Sequence, residues 1–590
     1  MSTLAPLPVA VPLGGAAALL CLNTVLSRRA VQAASAATVL AEVGLAAALL
    51  HQTSSGTVVY WFGGWIPRGG VALGISFTVD QLGAGGAVLV GLISAAALAT
   101  VHRTMDDAGA VVHSLLLVLL AAMAGFCLTG DLFNLFVFFE LMAVSAFALA
   151  AHDTRSPGAL GSALNFAITN TVGAFLVLIG IAMLYSRTGA LNLAQIGRQL
   201  AAGGPADRLV VVALSVLLAG FLIKAAVVPF HFWLIDTASA GPVPLAVVLA
   251  GALDTLGVYA IARIYWTVFA VPVAGHHRAV QAVLIGIGAL SAAAGGGLAV
   301  TLRQPRRRLA FVMVAHTGIL LIGIGCLTAR GVAGSAVYAV GDGVVKASLW
   351  AGLALLGLSR PADDERPRPD LSRAERRAGL TLLTVGALAT AGPPLFATGL
   401  GKSAIEDAAA GAGYPWVVPV VVLTAVLTAA AMLHLAWTGA GEAPGSSDPA
   451  AGHRQGSWLA VSGTGAALLG ISVGAAAMGR WAATAGARFV DTAGYQRRVL
   501  DGMAAHPTAA LPALHLSARG ALLDLLTVGA AITLTAASSR DAVRRVYRRL
   551  RTSTVHLGVV RLHDGNAGDS ATWVTVGTAT IALVLALSMR

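Results

Sequence analysis

Charge is scarce in this sequence: only 11% of its 590 residues are Asp, Glu, Lys or Arg, where soluble domains carry about a quarter. That scarcity argues against a solvated globular protein. Hydrophobic residues make up 57% of the chain and the mean hydropathy is +0.81. Apolar runs long enough to cross a bilayer recur along the whole length, which is the pattern of a polytopic, all-α membrane protein. Cysteine is nearly absent too. Cys21, Cys127 and Cys326 all sit inside apolar segments, with no pair at metal-ligand spacing. Iron–sulfur, haem and structural-zinc sites within this chain are therefore not expected, and no disulfide framework is indicated. A P-loop is missing, and the glycine clusters "GAGG" and "AGGG" fall inside spans, where they read as helix packing. No cofactor or metal site is expected, and the chain alone is not expected to be an enzyme.

Acidic residues are outnumbered by basic ones, 26 to 38, for a net charge of +12. A nucleic-acid partner is a poor explanation, because the basic residues form short clusters between apolar runs. Topology accounts for them better: "RQPRRR" and "RPADDERPRPDLSRAERR" mark alternate loops as cytoplasmic, which predicts both termini outside a cell membrane. Residues 5–26 read as a retained first helix, without the basic segment and cleavage site of a signal peptide. About sixteen spans are read in all, counting this one, the last two near 519–539 and 571–589, and the stretch 479–518 has room for a further short helix. In "DAVRRVYRRLR" (541–551), Val543, Val546 and Leu550 share a face opposite arginines. That spacing suits an interfacial helix on anionic headgroups, or equally an ordinary positive-inside anchor.

Against this background the ionisable residues at membrane depth stand out, because each costs about 2.5–3.5 kcal/mol to insert unless it has a partner. Lys224 lies in "GFLIKAAVVPFHFW", followed by Pro229. Glu140 lies among phenylalanines in "DLFNLFVFFELMAVSAF". The two can pair across helices, either as a static packing contact or as part of an ion path. Lys346 has Asp342 one helical turn before it in "GDGVVKASLW". Lys402 follows "TAGPPLFATGLGK", whose prolines cannot continue a helix, and Glu406 is one turn on. His316, inside "RLAFVMVAHTGILLIGIG", is either a hydrogen-bonded core residue or a proton carrier. Two proline-interrupted spans, each with one lysine, lie five spans apart. An odd shift inverts topology, so inverted five-helix repeats are predicted at 109–268 and 278–440, with N-terminal helices at 1–108 and a C-terminal region at 441–590.

At these residues the chain resembles the antiporter-like membrane subunits shared by respiratory complex I, membrane-bound hydrogenases and Mrp-type cation/proton antiporters. The resemblance rests on "GDLFNLFVFFELM", "GFLIKAAVVPFHFWLIDTASAGPVP", "GVYAIARIY", "RRRLAFVMVAHTGILLIGIG", "KASLW" and "AGPPLFATGLGK". It implies fourteen core helices with broken seventh and twelfth helices, plus about two C-terminal ones. It implies a proton relay through Glu140, Lys224, Lys346 and Lys402, with His316 and His231 matching histidines of relatives. It also implies partner membrane subunits of a respiratory, hydrogenase or Mrp-like complex, and protons or Na+ as the transported ions. The first reading is a proton-translocating subunit driven by electron transfer in partner subunits, the second an Mrp-type cation/proton antiporter subunit, and the third an unrelated solute carrier. Two positions depart from the family pattern. Thr255 stands where many relatives carry a lysine, and Asp342 where they often carry a histidine. Either Asp254 and Asp342 take over as carriers together with waters, or conduction is weakened or its ion altered.

Overall fold

Away from water every backbone N–H and C=O must be satisfied within the segment, so the apolar runs have no option but to coil into helices. The computed structural model of the chain describes residues 2–105, 108–154, 156–359, 371–440, 455–503, 511–538 and 567–588. The predicted interfacial segment at 541–551 lies outside the described residues. Two helices open the chain, α1 (Leu7–Cys21) and α2 (Arg28–Gln52). A short antiparallel hairpin follows, β1 (Val58–Trp61) and β2 (Ser76–Val79), with Val58 opposite Val79 and Trp61 opposite Ser76. The sequence reading expects no strand here. The hairpin departs from an all-helical chain at a point where "SFTV" ends on Asp80, whose carboxylate accepts from Gly83 N at 2.8 Å and starts the next helix.

That helix is α3 (Gln81–Thr104), followed by α4 (Ala110–Leu128), α5 (Leu132–Ala150), α6 (Pro157–Thr188) and the short α7 (Leu193–Ala202). Next come α8 (Arg208–Lys224), α9 (Phe232–Ala240), α10 (Val243–Val248) and α11 (Asp254–Ile264). Two wide π-turns, Leu249–Leu253 and Tyr265–Phe269, carry the last two on as one span. The chain continues as α12 (His277–Thr301), α13 (Pro305–Gly325), α14 (Ala329–Leu355), α15 (Arg373–Thr390), α16 (Ala397–Gly411) and α17 (Val417–Ala440). It ends with α18 (Gln455–Gly474), α19 (Gly479–Phe489), α20 (Thr492–Leu500), α21 (Ala518–Ala537) and α22 (Ala567–Ser588). Both α19 and α20 lie in the stretch 479–518 where the sequence leaves room for one short helix.

Among the described residues ten helices are long and apolar enough to cross a membrane unaided, which makes this a multi-pass membrane protein. The sequence-based count near sixteen is higher for a physical reason. The additional spans are short, broken, or carry ionisable side chains. All three buried lysines belong to that group, on α8, α14 and α16. The two expected breaks are present: the chain is non-helical at 225–231 between α8 and α9, and at 391–396 between α15 and α16.

Helix α13 is buried from Arg308 to Gly325. Close approach of backbones sets the neighbouring crossings. A Cβ on Gly257 of α11 would stand 2.5 Å from the backbone nitrogen of Ala225, at the first break. A Cβ on Gly343 of α14 would strike the carbonyl oxygen of Gly251 in the π-turn. Both contacts draw Asp254, Lys224 and Lys346 toward one another. Outside this centre, Arg263 and Asp80 form a buried ion pair at 2.6 Å, with the guanidinium also bonded to Tyr259 Oη at 2.9 Å and lying over Phe489. It ties the hairpin end of α3 to α11 and α19.

Because α11 and the first break meet backbone to backbone, Gly257→Val should cost at least the roughly 1–3 kcal/mol typical of overpacking. Thermal unfolding of the purified protein, followed by size-exclusion chromatography, should show a lower midpoint; an unchanged midpoint would contradict this close packing.

Candidate functional site

The centre of the site is Lys346, on the inner face of α14. Its ammonium lies 2.8 Å from Asp342 Oδ2, one turn back on the same helix, and 3.0 Å from Asp254 Oδ2 on α11. All three side chains are at most 1% exposed. Asp254 opens α11 directly after the π-turn, a type of helix defect that recurs at functional sites. Its Oδ2 also accepts from Thr317 Oγ1 at 2.8 Å, and its Oδ1 from Thr255 N at 2.7 Å. On the other side, Asp342 Oδ1 is 2.6 Å from His316 Nδ1, and His316 Nε2 is 3.1 Å from Thr428 Oγ1 on α17. The hydroxyl of Tyr338 lies 3.1 Å from the same Nδ1. Four helices thus contribute to one continuous buried line: Asp254, Lys346, Asp342, His316, Thr428.

Lys402 lies on α16 beyond the second break. Its ammonium is 2.8 Å from Asp524 Oδ1 of α21, and it donates to Ala391 O at 3.3 Å and to Thr527 Oγ1 at 3.4 Å. Ala391 caps the C-terminal end of α15, so the lysine meets the partial negative charge of a helix terminus as well as a carboxylate. Glu406, one turn on, is buried with Oε1 unbonded.

Lys224 is the last residue of α8, so it too stands at a carbonyl-rich helix end. It is fully buried, yet its ammonium makes no hydrogen bond. The ammonium rests 4.5 Å from the ring centroid of Phe139, a cation–π contact worth about 0.5–2 kcal/mol. Glu140, the next residue on α5, is half-buried with Oε1 unbonded. No ion pair joins the two in this structure, although their charges still act on each other across the gap. Backbone groups freed by the break are taken up locally: Trp233 Nε1 donates to Ile223 O at 2.9 Å, and Val228 N donates to Ser291 Oγ at 3.0 Å. Ala226 adopts a left-handed φ of 52°, a conformation that a residue with a Cβ holds only under strain.

His231 is buried beside this break, its ring 4.4 Å from that of Phe232 and 6.1 Å from that of Phe311. Of the residues singled out from the sequence, the structure brings Asp254, Lys346, Asp342 and His316 into direct contact. Glu140 and Lys224 form a neighbouring group, with His231 beside Pro229, and Lys402 a third. Asp524 and Glu42 are among the buried carboxylates that escape the sequence reading. Asp524 follows the last matching motif and has no local partner to advertise it. Glu42 of α2 is 0% exposed with both oxygens unbonded; a lone glutamate in "TVLAEVGL" at membrane depth was the available signal.

The family model described as "NADH:quinone oxidoreductase/Mrp antiporter, TM" matches residues 129–428. The chain is 32% identical over 296 residues to an NADH-quinone oxidoreductase subunit of Desulforudis audaxviator, covering 49% of this chain and 57% of that protein. It is 33% identical over 345 residues to a subunit of the probable K(+)/H(+) antiporter of Rhizobium meliloti, covering 57% and 62%. This chain therefore spans about half to three fifths of the length of the curated relatives it matches. Among solved structures, the Mrp complex from Dietzia sp. DQ12-45-1b holds a chain that superposes with a TM-score of 0.71. The match covers 85% of this chain and all of that one, at 26% identity. The matched segment contains Glu140, Lys224, Asp254, His316, Asp342, Lys346 and Lys402 on one family framework, and the chain belongs to the NADH:quinone oxidoreductase/Mrp antiporter transmembrane family.

Proposed function

We propose that this chain is a proton-translocating membrane subunit of a larger complex. The observation that carries the reading is the buried line from Asp254 through Lys346 and Asp342 to His316, with each neighbour within 3.0 Å of the next. Two carboxylates against one ammonium leave the cluster one positive charge short. His316 stands where an additional proton would balance it. A proton can then move in or out of the line by small hydrogen-bond shifts, since charge balance is kept within a few ångströms.

Lys224 supplies the entry step in this reading. With Glu140 drawn close, the ammonium is held; with the pair apart, as in this structure, it rests on Phe139 and favours release toward Asp254. Thr255 in place of a lysine leaves Asp254 as the receiving group. Lys402 takes the exit side.

The architecture we propose has fourteen core helices in which residues 109–268 and 278–440 form inverted five-span units, framed by 1–108 and 441–590. Each unit then has a broken fourth span bearing a lysine, Lys224 or Lys402. Each second span bears a titratable group, Glu140 or His316. Both termini would face outward from a cell membrane.

The driving force separates two readings. Coupling to electron transfer in partner subunits, as in a complex I-like or hydrogenase-like assembly, is supported by the relative named as an NADH-quinone oxidoreductase subunit. Exchange of protons for Na+ or K+, as an Mrp-like subunit, is supported by the relatives named as K(+)/H(+) and Na(+)/H(+) antiporter subunits. Proton flux into vesicles holding the whole complex distinguishes them: an electron donor starts the flux in the first case, and an imposed Na+ or K+ gradient in the second.

In the same vesicles Lys224→Ala and Glu140→Ala should each lower flux at least tenfold, below the roughly hundredfold that a positioned proton carrier commonly contributes. Normal assembly with untouched flux in both variants would end the relay proposal. Asp254→Asn should act more strongly than Thr255→Val, because only the first removes a proton-accepting group from Lys346; equal effects would point to packing alone.

A further inference from the structure

Asp524 lies beyond the matched family segment, on α21, far along the chain from the lysine it meets. We propose that Asp524 is the proton acceptor of Lys402 on the exit path, an assignment that rests on the proton-translocating reading above.

Three observations carry it. Asp524 Oδ1 is 2.8 Å from Lys402 Nζ, with the two side chains 0% and 1% exposed. Neither oxygen of Asp524 makes a hydrogen bond to any other group, so the carboxylate serves the lysine alone. The outer face of α21 is apolar, with Leu522, Leu525 and Leu526 each at least 58% exposed. The carboxylate therefore points inward on a helix whose other side is fit for lipid or a neighbouring subunit.

The chemistry follows from that isolation. If Lys402 lost its proton to anything else, Asp524 would remain as an uncompensated anion in a buried site, which is strongly unfavourable. Transfer along the 2.8 Å contact avoids this. One N–H bond of Lys402 breaks, its electron pair stays on the amine, and an O–H bond forms on Asp524; the ion pair becomes a neutral amine and acid. Thr527 Oγ1 and Ala391 O stay in place to hold the amine. From Asp524 the neighbouring charged groups lead outward. Glu406 is buried beside it, Arg519 stands at the start of α21, and Asp407 forms an exposed ion pair with Arg330.

The test uses vesicles holding the whole complex. Asp524→Asn keeps the side-chain size but is not basic, and should lower flux tenfold or more. Asp524→Glu should restore at least half of it and shift the pH of half-maximal flux, which a merely structural contact would not do. Flux within twofold of wild type in Asp524→Asn, where Lys402→Ala stops it, overturns the assignment and leaves the proton-translocating reading intact. Untouched flux in both Lys402→Ala and Lys224→Ala removes the reading itself. If Asp524→Asn fails to assemble, the Glu variant decides: a shifted pH profile supports the acceptor role, and an unchanged profile at full flux overturns it.

Discussion

An ammonium taken out of water has to find negative charge within a few ångströms, and the helices around the three buried lysines are arranged by that demand. An idealised ion loses on the order of 20 kcal/mol of hydration on entering a medium of low dielectric, and even after relaxation the loss is several kcal/mol. The three lysines meet it in different degrees. Lys346 has two carboxylates at 2.8 and 3.0 Å. Lys402 has one carboxylate and a helix-terminal carbonyl. Lys224 has neither, only an aromatic face and the C-terminal end of its own helix. The three sites thus differ in how much negative charge each ammonium meets, most at Lys346 and least at Lys224.

The two helix breaks belong to the same constraint. A helix terminus concentrates about half a negative charge on its last carbonyls, and a continuous span would place that terminus at the membrane surface. Interrupting α8 and α15 brings it to the depth of the lysines. Proline makes the interruption, but the surrounding side chains make it tolerable. Trp233, Ser291 and Thr398 each bond a backbone group near a break, and Ala226 accepts a left-handed conformation beside Lys224.

What the sequence reveals of this arrangement follows the range over which chain-local chemistry acts. Lys224 with Pro229, and Lys402 with Pro393 and Pro394, are legible because breaker and charge are neighbours. The Asp342–Lys346 pair is legible because one helical turn separates them. The Asp254–Lys346 and His316–Asp342 contacts are not, since they depend on how α11, α13 and α14 rotate about their axes, which Gly257 and Gly343 govern only once the helices have packed. The hairpin at Val58–Trp61 was hidden because four residues are too few for a clear period, and its pairing depends on a second strand, Ser76–Val79, beyond a long loop. Asp524 has nothing beside it in sequence that marks its use.

The ion pair between Lys402 and Asp524 also sets a timetable. Chains emerge at roughly 5–20 residues per second, and more than a hundred residues separate the two partners. For several seconds or longer during synthesis, α16 exists while α21 has not yet been made, and the ammonium of Lys402 has only the end of α15 and Glu406 for company. The second break therefore closes after the central cluster, whose last partner, Thr428, precedes Asp524 in the chain. A chaperone or a neighbouring subunit that engages the nascent chain would find this site, and not the central cluster, still open.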